Sequence, residues 1–116
     1  MKENVIKTKS FAFALRVVKL AQYLQKEKQE YVLSKQVLRS GTAIGALVRE
    51  AEHGQSKADF ISKMSIALKE ANETEYWIDL LHQSDYIQLD NYTSIHDDIT
   101  ELLKLLISIV KTSRAH

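Results

Sequence analysis

Apolar positions recur at steps of three and four residues along most of this chain, which is the spacing of one helix face. Four such segments are separated by short polar links. They predict helices over residues 10–26, 33–53, 57–84 and 91–112. The stripe of the third segment is Phe60, Met64, Ala67, Ala71, Thr74, Ile78 and Leu81. The stripe of the fourth is Tyr92, Ile95, Ile99, Leu102, Leu106 and Ile109.

Residues that begin or end helices stand between these segments. Ser10 and Asp90 are predicted N-caps, and Ser56 with Asp59 resembles a capping box. Gly54 is expected to stop the second helix. Since short links between long helices favour antiparallel neighbours, the sequence predicts one all-α domain over residues 1–116, an antiparallel up-down-up-down four-helix bundle.

Composition narrows the class further. The chain has no cysteine, no proline and only three glycines among 116 residues. Without cysteine, disulfides and cysteine-based metal sites are excluded. The lack of proline and the small number of glycines disfavour an all-β fold, which needs these residues in its turns. Its apolar runs are too short for a signal peptide or a membrane helix. We expect a cytoplasmic protein with no membrane association.

The first helix carries more apolar surface than one core requires. On a helical wheel its apolar residues cover an arc of about 220°, against a little over ~100° for a stripe that packs on a single core. The surplus, chiefly Phe13, Leu20 and Leu24, predicts self-association, because an exposed patch of this size is unfavourable on a monomer. The alternative is that neighbouring helices wrap this helix more fully than usual.

The second helix contains Gly41 and Gly45 within a run of small residues. Each glycine inside a helix costs roughly 1 kcal/mol relative to alanine, so a compensating contact is expected. Either another subunit's helix approaches closely here, which makes both glycines candidate interface residues, or the bundle core is narrow at this layer.

The residues do not support catalysis or metal binding. Glu50-x-x-His53 and Asp79-x-x-His82 have the spacing of di-iron bundles. In an antiparallel pair, however, the two histidines would lie roughly 39 Å apart. No serine is marked as an activated nucleophile. We therefore expect no catalytic residue, no metal, no cofactor and no small-molecule substrate.

Charge is unevenly distributed along the chain. Residues 1–57 hold 11 basic and 5 acidic residues, whereas residues 58–116 hold 5 and 10, so the halves carry +6 and −5. Antiparallel register sets Arg39 opposite Glu70, and Lys35 opposite Glu73 and Glu75, as interhelical ion pairs. The alternative function is binding of RNA or DNA phosphates by basic faces of the first two helices. Its candidate residues are Lys9, Arg16, Lys19, Lys35, Arg39 and Arg49.

Two blocks of the sequence resemble the bacterial four-helix-bundle proteins known as 23S rRNA intervening-sequence proteins. The first block runs over residues 34–51, and its matching positions are Ser34, Gln36, Arg39, Ser40, Ile44, Ala46 and Glu50. The second block runs over residues 67–77, where Glu73 and Glu75 match acidic positions. Leu47 and Ala43 depart from the pattern, because many members carry Asn and Ser there.

The resemblance implies a small bundle that assembles as a homopentameric ring. Some relatives are encoded inside ribosomal RNA genes. Others are accessory variability proteins of diversity-generating retroelements, in which a basic pentamer binds nucleic acid and a reverse transcriptase. The net charge of +1 departs from that strongly basic branch. The sequence therefore favours a non-enzymatic, self-associating bundle, with nucleic-acid binding as the alternative.

Overall fold

Four helices make up the fold of the computed structural model, which describes residues 2–116, with side chains from residue 4 onward. They are α1 (Lys2–Glu27), α2 (Leu33–Glu52), α3 (Lys57–Gln83) and α4 (Leu89–Ala115). Each helix packs against the next along the chain, and α4 closes the bundle against α1. The described residues extend over 46 × 21 × 19 Å, so the four-helix bundle is confirmed.

The core contains the stripes that the spacing predicts for the third and fourth helices. In α3 all of the predicted positions are buried except Phe60, which is partly buried. In α4 all are buried except Tyr92, which also packs against the core. Between α2 and α3 the core includes one buried polar contact, in which the Thr74 hydroxyl donates to Ser40 Oγ at 2.9 Å.

The start of α1 differs from the prediction. The helix begins at Lys2 and not at Ser10, because Ile6 is fully buried in the core and extends the packed face toward the N-terminus. Ser10 therefore lies inside the helix, where its hydroxyl donates to the carbonyl of Lys7 at 3.3 Å. Such a bond is common for serine within a helix.

The other helix ends are set by short local contacts. Ser56 caps α3 as predicted, since its Oγ accepts the N–H of Asp59 at 3.1 Å. Gly54 follows the end of α2, and its N–H donates to the carbonyl of Ala51 at 3.1 Å. The predicted cap at Asp90 is wrong: α4 begins at Leu89 after Gln88, and Asp90 lies in the first turn.

Candidate self-association surface

The outward face of α1 carries a row of exposed, uncharged side chains. Its apolar centre is Phe11, Leu15 and Val18, which are 52%, 52% and 37% exposed. Polar residues extend the same row in steps of four and three, and all of its members are exposed: Asn4, Thr8, Phe11, Leu15, Val18 and Gln22. We call these six residues the α1 seam. Alternating steps of four and three average 3.5 residues, which is the spacing of a seam between two helices.

Small residues flank the centre of the seam. Ala12 is exposed and Ala14 is half-buried. Next to Ala14 lies a groove of about 430 Å³ between α1 and α2, which Phe11, Thr42, Gly45, Ala46 and Arg49 help to line. The guanidinium carbon of Arg49 lies 5.7 Å from the centre of the Phe11 ring, within the range of a cation–π contact. A side chain from another helix could therefore approach the seam and enter this α1–α2 groove.

The residues that the sequence analysis predicts for self-association lie elsewhere. Phe13 is 2% exposed and Leu24 is fully buried, and both belong to the core of the bundle. Leu20 is half-buried and packs against that core. The prediction that their side chains form the surplus apolar surface is wrong, because the core-facing side of α1 is centred on them. The large apolar side chains on the outward face of α1 that the core leaves exposed are instead Phe11, Leu15 and Val18.

Both glycines of α2 serve the contact with α1 inside one subunit. A Cβ on Gly41 would lie 2.8 Å from both methyl groups of Val17, and one on Gly45 would lie 3.3 Å from the backbone oxygen of Ser10. Gly41 is buried and Gly45 half-buried. The narrow-core interpretation therefore accounts for the two glycines. Gly45 still borders the α1–α2 groove.

Half of the six basic candidate residues are held in ion pairs. Lys9 Nζ lies 3.1 Å from Glu101 and Arg16 Nη1 lies 2.6 Å from Asp98, so both join α1 to α4. Arg39 Nη1 lies 3.2 Å from Glu70, as the register predicts.

A second nitrogen of Arg39 bonds Glu73, which also accepts a hydrogen bond from the Trp77 indole at 3.0 Å. The hydrogen bonds from Trp77 and Arg39 hold the pKa of Glu73 below its ordinary value. The predicted pairs of Lys35 with Glu73 and Glu75 are wrong, because those carboxylates face Arg39 and His96. Among the described residues, Lys19, Lys35 and Arg49 have no ion pair.

A polar cluster that the sequence analysis did not anticipate joins α3 to α4. The Tyr92 hydroxyl donates to Asp79 Oδ1 at 2.8 Å, and this bond raises the pKa of Tyr92. His96 Nε2 lies 3.4 Å from Glu75 Oε2 and 3.7 Å from Asp79 Oδ1. The His82 ring stacks on Tyr92 with 4.1 Å between ring centres. These contacts join α3 to α4. Within the described part of the chain, no three His, Asp or Glu side chains are grouped so that they could hold a metal ion.

Comparison of the sequence with known protein families identifies the family of this chain. The sequence model of the 23S rRNA-intervening sequence proteins matches residues 2–108. The chain belongs to this family. The assignment confirms the resemblance seen in residues 34–51 and 67–77.

A solved structure has the same fold. It is a protein of unknown function from the S23 ribosomal protein family of Bacteroides thetaiotaomicron, determined at 1.70 Å resolution. The two sequences are 60% identical over 96% of this chain and 99% of the other, with a TM-score of 0.94. No functionally curated protein matches this chain. None of the four helices, over the residues described, is long and apolar enough to cross a membrane.

Proposed function

We propose that this protein is a non-enzymatic bundle that associates with copies of itself through the α1 seam. One observation carries the proposal: the outward face of α1 is exposed over six successive seam positions, with three large apolar side chains at its centre and no charge at any of the six. The outward face of a helix on a monomer is ordinarily polar and charged. Covering Phe11, Leu15 and Val18 would remove apolar area from water at about 25 cal/mol per Å².

The flanks of the seam favour another helix as the occupant. Ala12 and Ala14 leave room for a close approach. Lys7 and Lys19 lie toward the two ends of the α1 seam, where a charged side chain can remain in the solvent-accessible rim of an interface. Lys7 is already neutralised by Glu52, at 3.0 Å. A second copy presenting an apolar helix face therefore meets no charged side chain among the six seam positions, and the nearest cation without an ion pair, Arg49, lies over the Phe11 ring.

The resemblance to ring-forming relatives suggests five subunits. A ring requires that each subunit present two different surfaces, one for each neighbour. The α1 seam supplies one such surface in this proposal, and the adjoining α1–α2 groove, which shares Phe11 with the seam, receives side chains of the same neighbour. We place the assembly in the cytoplasm, a reducing compartment with which the absence of cysteine is consistent.

The test is the mass of the protein in solution, measured by light scattering across a size-exclusion peak. Wild type is expected at a multiple of 13.3 kDa, near fivefold for the ring. Leu15→Glu places a charge in the centre of the seam and should give the monomer mass, because a buried unpaired carboxylate is strongly unfavourable. The helical circular dichroism should stay unchanged, since Leu15 contributes little to the core.

The matched control is Ile107→Glu on α4. Ile107 is 51% exposed and Leu15 is 52% exposed, so the two substitutions alter equally exposed apolar positions on different helices. The Ile107 variant should keep the wild-type mass. A monomeric wild type, or equal loss of assembly in both variants, would contradict the proposal. A metal or cofactor found by native mass spectrometry in the purified protein would contradict its non-enzymatic part.

A further inference from the structure

A second groove, between α1 and α4, has a composition suited to a small amphipathic anion. It measures about 280 Å³ and runs between the C-terminal half of α1 and the first turns of α4. Its floor is apolar: Ile87 and Ile95 are each 4% exposed, and Leu20 is half-buried. This α1–α4 groove is distinct from the α1 seam, which lies on the side of α1 that faces away from the bundle.

The rim of the groove carries hydrogen-bond donors that lack partners. Lys19, Tyr23 and Asn91 line the groove, and none of their side chains forms a hydrogen bond or ion pair with another residue in the described part of the chain. Ammonium, phenol and amide groups can all donate to a carboxylate. A mostly apolar floor with a few polar groups around it is the usual composition of a small-molecule site.

The charges around the groove favour a ligand that carries a single negative charge. Among the residues whose side chains the structure describes, no acidic one lines it. Its two basic residues are Arg16 and Lys19, but Arg16 is already neutralised by Asp98 at 2.6 Å. Lys19 therefore leaves one uncompensated positive charge beside an apolar floor.

We propose that the α1–α4 groove binds a monocarboxylate with a short aliphatic chain, with the chain on Leu20, Ile87 and Ile95 and the carboxylate at Lys19. A polyanion such as a nucleic-acid backbone fits less well, because one net charge and an apolar floor match neither repeated phosphates nor their hydration. The groove lies just below the volume range of most ligand sites, which is roughly 300–1,000 Å³. A ligand of about ten non-hydrogen atoms is thus expected to bind with a Kd on the order of 1 mM or somewhat tighter.

Isothermal titration with octanoate tests the proposal on the full chain. Lys19→Ala should weaken binding about tenfold, the usual effect of losing one hydrogen bond to a charged group, whereas Lys19→Arg should stay within about threefold of wild type. Asn91→Asp adds a negative charge at the rim and should weaken binding by a similar factor. Lys35→Ala removes an exposed, unpaired lysine of α2 and is the control that should change nothing.

Four outcomes would overturn the proposal. They are no octanoate binding up to about 5 mM, equal binding of the neutral alcohol 1-octanol, equal binding by Lys19→Ala and wild type, and displacement of octanoate by inorganic phosphate at similar concentration. The mass of every variant in solution is measured in parallel by light scattering. A failure of self-association therefore appears in the mass and a failure of the groove in the titration, so the two are distinguished.

Discussion

Glu30 fixes the start of α2 from inside the loop that precedes it. The residue is 8% exposed, and its carboxylate accepts the backbone N–H groups of Val32, Leu33 and Ser34 at 3.2, 3.0 and 2.7 Å. The Ser34 hydroxyl donates back to the Glu30 carbonyl at 2.8 Å. These bonds satisfy donors that the first turn of a helix leaves unpaired. Gln29, with φ of 50°, turns the chain into this position.

The protonation of Glu30 should affect stability. Burial by itself raises the pKa of this carboxyl, but the three backbone N–H bonds and the Ser34 hydroxyl outweigh burial and lower it. A carboxyl whose pKa is lower in the folded state stabilises the protein above its unfolded pKa. That contribution is lost as the pH falls through the lower, folded value.

We therefore expect Glu30→Gln to lower the free energy of unfolding by about 1 kcal/mol at pH 7, the usual effect of losing a helix cap. The difference from wild type should shrink as the pH is lowered to about 3, because the wild-type carboxyl is then increasingly protonated. Urea unfolding at both pH values measures this. Glu27→Gln, at an exposed position in the last turn of α1, is the matched control. A pH-independent difference would show that the carboxylate charge has no part in the cap.

At the scale of elements, the approach of α1 to α2 depends on the missing side chain at Gly41. Val17 is fully buried, and both of its methyl groups lie only 2.8 Å from the position that a Cβ of residue 41 would take. A β-branched side chain in a helix has essentially one rotamer, so Val17 cannot turn away. The two helices would have to separate to admit even alanine.

Gly41→Ala should accordingly destabilise the protein by about 1–3 kcal/mol, the range for overpacking, despite the better helix propensity of alanine. In a Val17→Ala background the methyl groups are gone. The same substitution should then be neutral or stabilising by up to about 1 kcal/mol. Chemical unfolding of the four proteins in this double-mutant cycle measures the coupling. Equal effects in both backgrounds would show that the contact with Val17 is not the reason for the glycine.

At the scale of the whole molecule, ion pairs between the two sequence halves match part of their opposite charges. Three basic residues of the first half bind acidic residues of the second: Lys9 to Glu101, Arg16 to Asp98, and Arg39 to Glu70 and Glu73. These side chains are partly exposed, so each pair adds only about 0–1 kcal/mol to stability. Their larger consequence is that fewer cations remain available to a polyanion.

Nucleic-acid binding stays a prediction, and the ion pairs limit it. Of its six proposed residues, Lys19, Lys35 and Arg49 are the ones without an ion pair among the described residues. If all three contact duplex phosphates, log K should fall with log salt with a slope no steeper than about 2.7. Fluorescence anisotropy of a labelled duplex across a salt series measures the slope. A slope near 5 would mean that Lys9, Arg16 and Arg39 leave their carboxylates on binding, and no binding at low salt would remove nucleic acid from consideration.

The sequence by itself determined the fold and most of the core. Helical periodicity is a local property, so steps of four and three identified the buried faces of α3 and α4 residue by residue, as at Met64 and Ile99. The pair of Arg39 and Glu70 followed from antiparallel register alone. The signal for Glu30 was present as an acidic residue just before α2, yet a helix cap is recognisable only once the first turn is placed around it.

Only the tertiary structure decided which side of α1 stays exposed. The apolar arc of this helix is wide, and periodicity cannot say which part of a wide arc packs on the core. The positions of α2 and α4 settle it, because they enclose Phe13 and Leu24 and leave Phe11 and Leu15 in solvent. The same holds for the partners of Glu73 and Glu75, which are Arg39 and His96 and not Lys35. Long charged side chains can reach several neighbours, and the choice among them depends on distances set by the packed bundle.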